Sequence, residues 1–140
     1  MDPNLKREII LDNYQNPINR GLNNEANYEI FRTNNSSCID DLNIAIKVED
    51  NIIKDIRFEG EACAISTSAT SIMIRNLIGK TLTEANEIMV NYENMINEKE
   101  YNEELLQDLI VYNEIYKQPN RKTCALLPFK AIKELLLGRK

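Results

Sequence analysis

The chain has 140 residues with 17 Lys+Arg against 22 Asp+Glu, a formal charge of −5, and that length can bury a core within one domain. Hydrophobic residues make up 43% and charged residues 28%, which is globular composition and not that of a disordered chain. An acidic chain without a basic block argues against a nucleic-acid or anionic-membrane surface, and no apolar run approaches the ~20 residues a membrane helix needs.

Taken in chain order, Asp2-Pro3 reads as an N-cap followed by proline at the first helical position, opening a helix to about Tyr14. Asn16-Pro17 and Gly21 mark a turn and an irregular stretch. Tyr28, Ile30 and Arg32 suggest a short strand. Leu42, Ile44, Ile46 and Val48 alternate with polar or small residues, and Ile56 and Phe58 alternate with Asp55, Arg57 and Glu59. With Glu49-Asp50-Asn51 between them, the two runs predict a β-hairpin.

After Gly60 the period lengthens, and Ile65, Ala69, Ile72, Met73 and Leu77 fall on one helical face that Gly79 ends. Thr81 and Glu84 form a candidate capping box for a helix burying Leu82, Ala85, Ile88, Met89, Tyr92 and Ile96. A further helix carries Leu105, Leu106, Leu109 and Ile110 and stops near Pro119; the last carries Ala125, Phe129, Ile132 and Leu136. Strands cluster early and helices late, so the expected class is α+β: a small antiparallel sheet packed against several helices, in one domain spanning 1–140.

The chemistry available is narrow. Histidine is absent, which removes the usual general base and the commonest nitrogen ligand. The four glycines are scattered, so there is no glycine-rich phosphate loop. The amino terminus MDPNLKREII has charges where a signal peptide needs an apolar core, and the expected location is the cytoplasm. Three cysteines with no CxxC pair argue against a disulfide framework.

Position says more than spacing. Cys38 lies in the loop SSCIDD ahead of the hairpin, Cys63 follows it and precedes a helix, and Cys124 is expected at or just before the start of the last helix. No cysteine is expected within an apolar stripe. Unpaired N–H groups at a helix start stabilise a thiolate, and Arg121 and Lys122 add positive charge beside Cys124. In an extended loop, Cys38 and Asp40 point the same way and Asp41 points elsewhere. Three thiolates and a carboxylate suit zinc or an iron–sulfur cluster. The simpler alternatives are buried thiols and turn-capping aspartates.

These residues resemble the U-type iron–sulfur cluster assembly proteins (SufU, IscU and the NifU N-terminal domain) over nearly the whole chain. DNYQNPINRG is similar to the family's DHYKNPxNxG, SSCIDD stands where the family has NPTCGD, and FEGEACAISTSATSIM is similar to FEGxGCxISxASASMM. GKTLTEA and PNRKTCALLPFKAI match GKxxxEA and PARIKCATLAWKAL in register. The resemblance implies a SufE/IscU-like fold and a metal site of Cys38, Asp40, Cys63 and Cys124. Thr123 stands where IscU-type members have histidine, and the path from Cys63 to Cys124 is lengthened around Asn91–Leu105; both features point to the SufU branch.

For that branch the resemblance implies a zinc-containing sulfur acceptor, with Cys38 taking persulfide sulfur from a PLP-dependent cysteine desulfurase of the SufS kind. On docking, the desulfurase would contribute a ligand to zinc and free Cys38. Asp40 would keep the metal labile, and Arg121 would assist near Cys124. Downstream cluster assembly or acceptor proteins would receive the sulfur. The alternative is a scaffold that builds and transfers a [2Fe–2S] or [4Fe–4S] cluster on the same ligands; a third reading, a closed structural zinc site, fits an aspartate ligand poorly. The chain departs from the family at Ile39 and Ala62, where the family has glycine, and at Thr123, where the SufU branch has lysine. A positive φ at Ile39 would be strained, and Pro128 predicts a last helix that starts late.

Overall fold

A computed structural model describes residues 1–22, 27–36 and 38–137. The predicted hairpin forms from β2 (Asp41–Glu49) and β3 (Ile52–Glu61), with Ile44 opposite Phe58 and Ile46 opposite Ile56. Asp50 and Asn51 both take positive φ, at 53° and 65°, which is the two-residue turn whose twist matches the flanking strands. β1 (Glu29–Asn34) adds antiparallel to β2, giving the order β1-β2-β3. Along the far side of β3 runs the segment around Arg20: Phe58 donates its N–H to the carbonyl of Asn19 at 3.2 Å, and Gly21 donates to the carbonyl of Phe58 at 2.7 Å.

Among the described residues, five α-helices complete an α+β fold: α1 (Pro3–Gln15), α2 (Ala64–Leu77), α3 (Leu82–Ile96), the short α4 (Glu103–Leu106) and α5 (Pro119–Leu137). The Asp2 cap forms, as does the Thr81–Glu84 capping box. The run from Leu105 to Ile110 is not one helix: α4 gives way at Gln107 to a 3₁₀ segment, Gln107–Tyr112. Gln107, at φ 48° and ψ −127°, breaks the α-helical path there.

α2 is the central helix, packed against α1 and α5. The one-faced stripe expected for it understates its burial, since Ser66, Ser68, Thr70 and Ser71 are buried as well. Buried hydroxyls are tolerated when each has a partner. Ser68 pairs with the Tyr112 hydroxyl at 2.5 Å, Thr70 donates to the Ser66 carbonyl at 2.7 Å, and Ser71 donates to Asn13 Oδ1 at 2.7 Å. The partner of Ser66 lies in the site described below.

The last helix corrects two expectations. It starts at Pro119, not at or just after Cys124, and Cys124 is therefore inside it and buried among the core residues. Proline is well suited to a first helical position because its missing N–H would have no partner there. Pro128 lies mid-helix, where it cannot donate to the carbonyl of Cys124 four residues back. Side chains from neighbouring elements serve this turn instead: Ser66 Oγ donates to the Cys124 carbonyl at 3.2 Å, Tyr92 Oη to that of Ala125 at 2.7 Å, and Thr33 Oγ1 to that of Leu127 at 3.2 Å. Among the described residues, no helix is long and apolar enough to cross a membrane.

Candidate metal centre

Cys63 is the N-cap of α2, and its thiol sulfur accepts the backbone N–H of Ser66 at 3.4 Å. The loop before β2 folds back on itself, with Cys38 N–H donating to the Asn35 carbonyl at 3.1 Å and Asn35 N–H to the Asp40 carbonyl at 3.0 Å. Ser37, within that loop, lies outside the described residues. Asp40 and Cys38 face the same side as expected, their Oδ1 and Sγ 3.7 Å apart. Asp41 turns away and forms a bidentate pair with Arg32 at 2.7 and 2.8 Å. α5 brings in Cys124, whose thiol also reaches the Asn120 carbonyl at 3.7 Å.

One ligand atom from each of Cys38, Asp40, Cys63 and Cys124 lies within 4.8 Å of all the others. Zinc bound at about 2.3 Å to sulfur and about 2.1 Å to oxygen would set tetrahedral edges of about 3.6 Å for S···O and about 3.8 Å for S···S. Cys38 Sγ lies 3.7 Å from Asp40 Oδ1 and Cys63 Sγ 3.9 Å from Asp40 Oδ2, each near the first edge but to different oxygens of the carboxylate. The donor set thus fits a four-coordinate ion with small side-chain adjustments. The thiols open onto a cavity of about 440 Å³ lined by Asn35, Cys38, Cys63, Ile65, Asn120, Arg121 and Cys124. Cys38 is exposed, Cys63 intermediate and Cys124 buried.

The electrostatics follow from this burial. Desolvation alone would raise the Asp40 carboxyl, but the Ser66 hydroxyl, the Cys63 N–H and the thiols of Cys124 and Cys63 together hold it below its ordinary value. Burial, then the adjoining Cys63 and Asp40, pushes the Cys124 thiol up to about 12. This overturns the expectation of a thiolate favoured by a helix start: Cys124 is too far along α5 to feel it, and desolvation dominates. A cation among these donors is what would let them be anionic together.

Ile39 is 67% exposed and is not among the described residues with positive φ, so the loop avoids the strain a glycine-like backbone would have imposed. Ala62 is likewise absent from that set. Sequence reasoning missed Ser66. It is fully buried, and its Oγ donates to Asp40 Oδ2 at 2.6 Å while lying 3.5 Å from Cys63 Sγ. The available signal was its place three residues after an N-cap, where the first helical turn still faces the capping side chain.

The fold and site together define a small α+β protein carrying a partly open Cys₃Asp constellation that could hold a metal ion. Residues 5–125 match the family model described as the NifU-like N-terminal domain, and the chain belongs to that family. It is 33% identical over 131 residues to the zinc-dependent sulfurtransferase SufU of Bacillus subtilis, covering 93% of this chain and 88% of that one. It is also 33% identical over 129 residues to the iron-sulfur cluster assembly scaffold protein IscU of Thermotoga maritima, covering 92% and 90%. Among solved structures, SufU of Fervidobacterium islandicum, described as a cluster assembly scaffold for the SUF system, superposes with a TM-score of 0.85 at 36% identity, over 92% of this chain and 94% of that one.

Proposed function

We propose that this protein acts in iron–sulfur cluster assembly as a zinc-dependent sulfur acceptor, in the cytoplasm and as a single domain over 1–140. Its metal ligands would be Cys38, Asp40, Cys63 and Cys124, and its sulfur donor a PLP-dependent cysteine desulfurase of the SufS kind. The observation that carries the reading is the graded exposure of one convergent donor set, in which Cys38 stands at the surface while Asp40 and Cys124 are buried.

Bound zinc would supply a positive charge that keeps the thiols deprotonated at neutral pH. Cys38, the accessible thiol, is the group a docked donor can reach. Its thiolate attacks the outer sulfur of the donor's cysteine persulfide; that S–S bond breaks, a new S–S bond forms on Cys38, and the donor's thiolate leaves. Asp40, a hard oxygen ligand among sulfurs, is the natural one to exchange. Arg121 lines the same cavity, where a guanidinium would favour an incoming anionic persulfide. The sulfur then passes to downstream cluster assembly or acceptor proteins.

The second reading, a scaffold for a [2Fe–2S] or [4Fe–4S] cluster, draws on the same four ligands and on the likeness to IscU. Absence of histidine from the chain supports the zinc reading over it. Incubation with a persulfide-loaded desulfurase, followed by intact-mass analysis, tests the assignment. One sulfur atom is expected on the wild-type protein and none on Cys38→Ala; normal loading of that variant would remove Cys38 from the role.

A further inference from the structure

We infer that Ser66 is the positioning residue of this centre, tying the carboxylate ligand to the helix turn that carries the buried thiol. The inference rests on the metal-site reading above and adds to it a residue that binds no metal. The Ser66 hydroxyl has a single proton and two acceptors within reach, Asp40 Oδ2 at 2.6 Å and the Cys124 carbonyl at 3.2 Å. Ser66 is fully buried, so water does not compete for that proton.

The one proton favours the shorter contact to the Asp40 carboxylate and leaves a weaker share for the Cys124 carbonyl, and both acceptors have a use for it. The Cys124 carbonyl needs a donor because Pro128, four residues on, has no N–H to give. The Cys63 N–H fixes only Oδ1 of Asp40, at 2.7 Å, and a carboxylate held at one oxygen can still swing, so Oδ2 needs an anchor of its own. With both oxygens held, rotation of the carboxylate is restrained, and each oxygen lies beside a thiol, Oδ1 3.7 Å from Cys38 Sγ and Oδ2 3.9 Å from Cys63 Sγ. Partners of this kind orient a ligand and govern how firmly the metal is kept. Ser66 stands on the first turn of α2 beside Cys63, the N-cap of the same helix. One hydroxyl therefore couples the loop ligand, the N-cap ligand and the α5 ligand.

Without the hydroxyl, Asp40 keeps its anchor to the Cys63 N–H but is free to swing about it. Loss of such an orienting partner lowers metal affinity by roughly 10–100-fold. A merely structural Ser66 would instead act through the Cys124 carbonyl, and that role can be removed separately. In Pro128→Ala the residue at 128 regains an N–H for the Cys124 carbonyl, leaving Ser66 only Asp40 to serve.

The test measures zinc affinity by chelator competition and the visible spectrum of the Co(II)-substituted protein. It uses the wild type, Ser66→Ala, Pro128→Ala and Ser66→Ala/Pro128→Ala, with Asp40→Ala setting the scale for loss of the carboxylate. The expected result is a roughly 10–100-fold weaker zinc affinity for Ser66→Ala, with cobalt bands shifted toward those of Asp40→Ala, and the same loss in the Pro128→Ala background. Unchanged affinity and spectrum in folded Ser66→Ala would overturn the inference while leaving the metal site standing. A loss that vanishes in the Pro128→Ala background would assign Ser66 to the helix turn alone and overturn it too. Failure of the wild type to bind either ion would overturn the metal site and the inference together.

Discussion

Gly60 on β3 stands opposite Leu42 at φ +129°, and a Cβ there would lie 2.2 Å from the Asp41 carbonyl oxygen and 3.2 Å from Asp41 C and Leu42 Cα. All three are backbone atoms of the strand that begins directly after Asp40, so none can step aside as a flexible side chain would. Gly60→Ala therefore carries two penalties: about 1–3 kcal/mol for an L-residue in that backbone region and about 1–3 kcal/mol for the collision. Gly79→Ala is the matched control, with φ +87° and nothing within 4 Å of the added carbon, so it carries the first penalty alone. With a urea slope of about 2 kcal/mol per molar, the midpoint should fall by about 1–3 M for Gly60→Ala and by about 0.5–1.5 M for Gly79→Ala. Zinc retention should weaken only in Gly60→Ala, because the strand must shift beside Asp40. Equal midpoint shifts would refute the collision argument, and unaltered zinc retention would refute its link to the site.

Two further outcomes concern the helices. α3 ends with Glu98 at φ +61°, Lys99 N–H donating to the Asn94 carbonyl at 2.8 Å and Glu98 N–H to that of Met95 at 3.3 Å. Glycine is the residue this cap favours, so Glu98→Gly should stabilise the protein by about 0.5–1 kcal/mol in urea unfolding; a destabilisation would refute that reading. At the other end of α3, the Thr81 N–H and, second, the Thr81 side chain hold the Glu84 carboxyl below its ordinary value. A carboxyl depressed in the folded state contributes stability that is complete above its unfolded pKa and is lost as pH falls through the folded one. Glu84→Gln, which removes the charge that the Thr81 N–H holds, should thus be less stable than wild type near neutrality, and the gap should close at acid pH as Glu84 is protonated. A gap constant with pH would show that the carboxylate plays no part.

The hairpin and the α3 cap were readable because their signals are local: period-two alternation from Leu42 to Val48 and again around Ile56 and Phe58, turn chemistry at Glu49-Asp50-Asn51, and Thr81 three residues before Glu84. The convergence of Cys38, Asp40 and Cys63 was readable because loop and cap positions set them apart from core residues. Cys124 was misplaced for a physical reason. Proline reads as a helix breaker, and the side chains that serve the carbonyls of this turn, Ser66 among them, come from distant elements. The same separation explains why Ser66 escaped notice, since its partners are 26 and 58 residues away in the chain. The buried hydroxyls of α2 were invisible to an apolar stripe for the same reason: Tyr112 and Asn13, which satisfy Ser68 and Ser71, come from distant elements.

The proposed sulfur acceptor makes one demand that a cluster scaffold does not: zinc must be present while the protein works. Turnover of a cysteine desulfurase should be measured with this protein added in zinc-loaded and in metal-stripped form. Strong stimulation by the zinc-loaded form alone is the predicted result. Stimulation, or cluster formation on the protein, only after zinc is removed would contradict it.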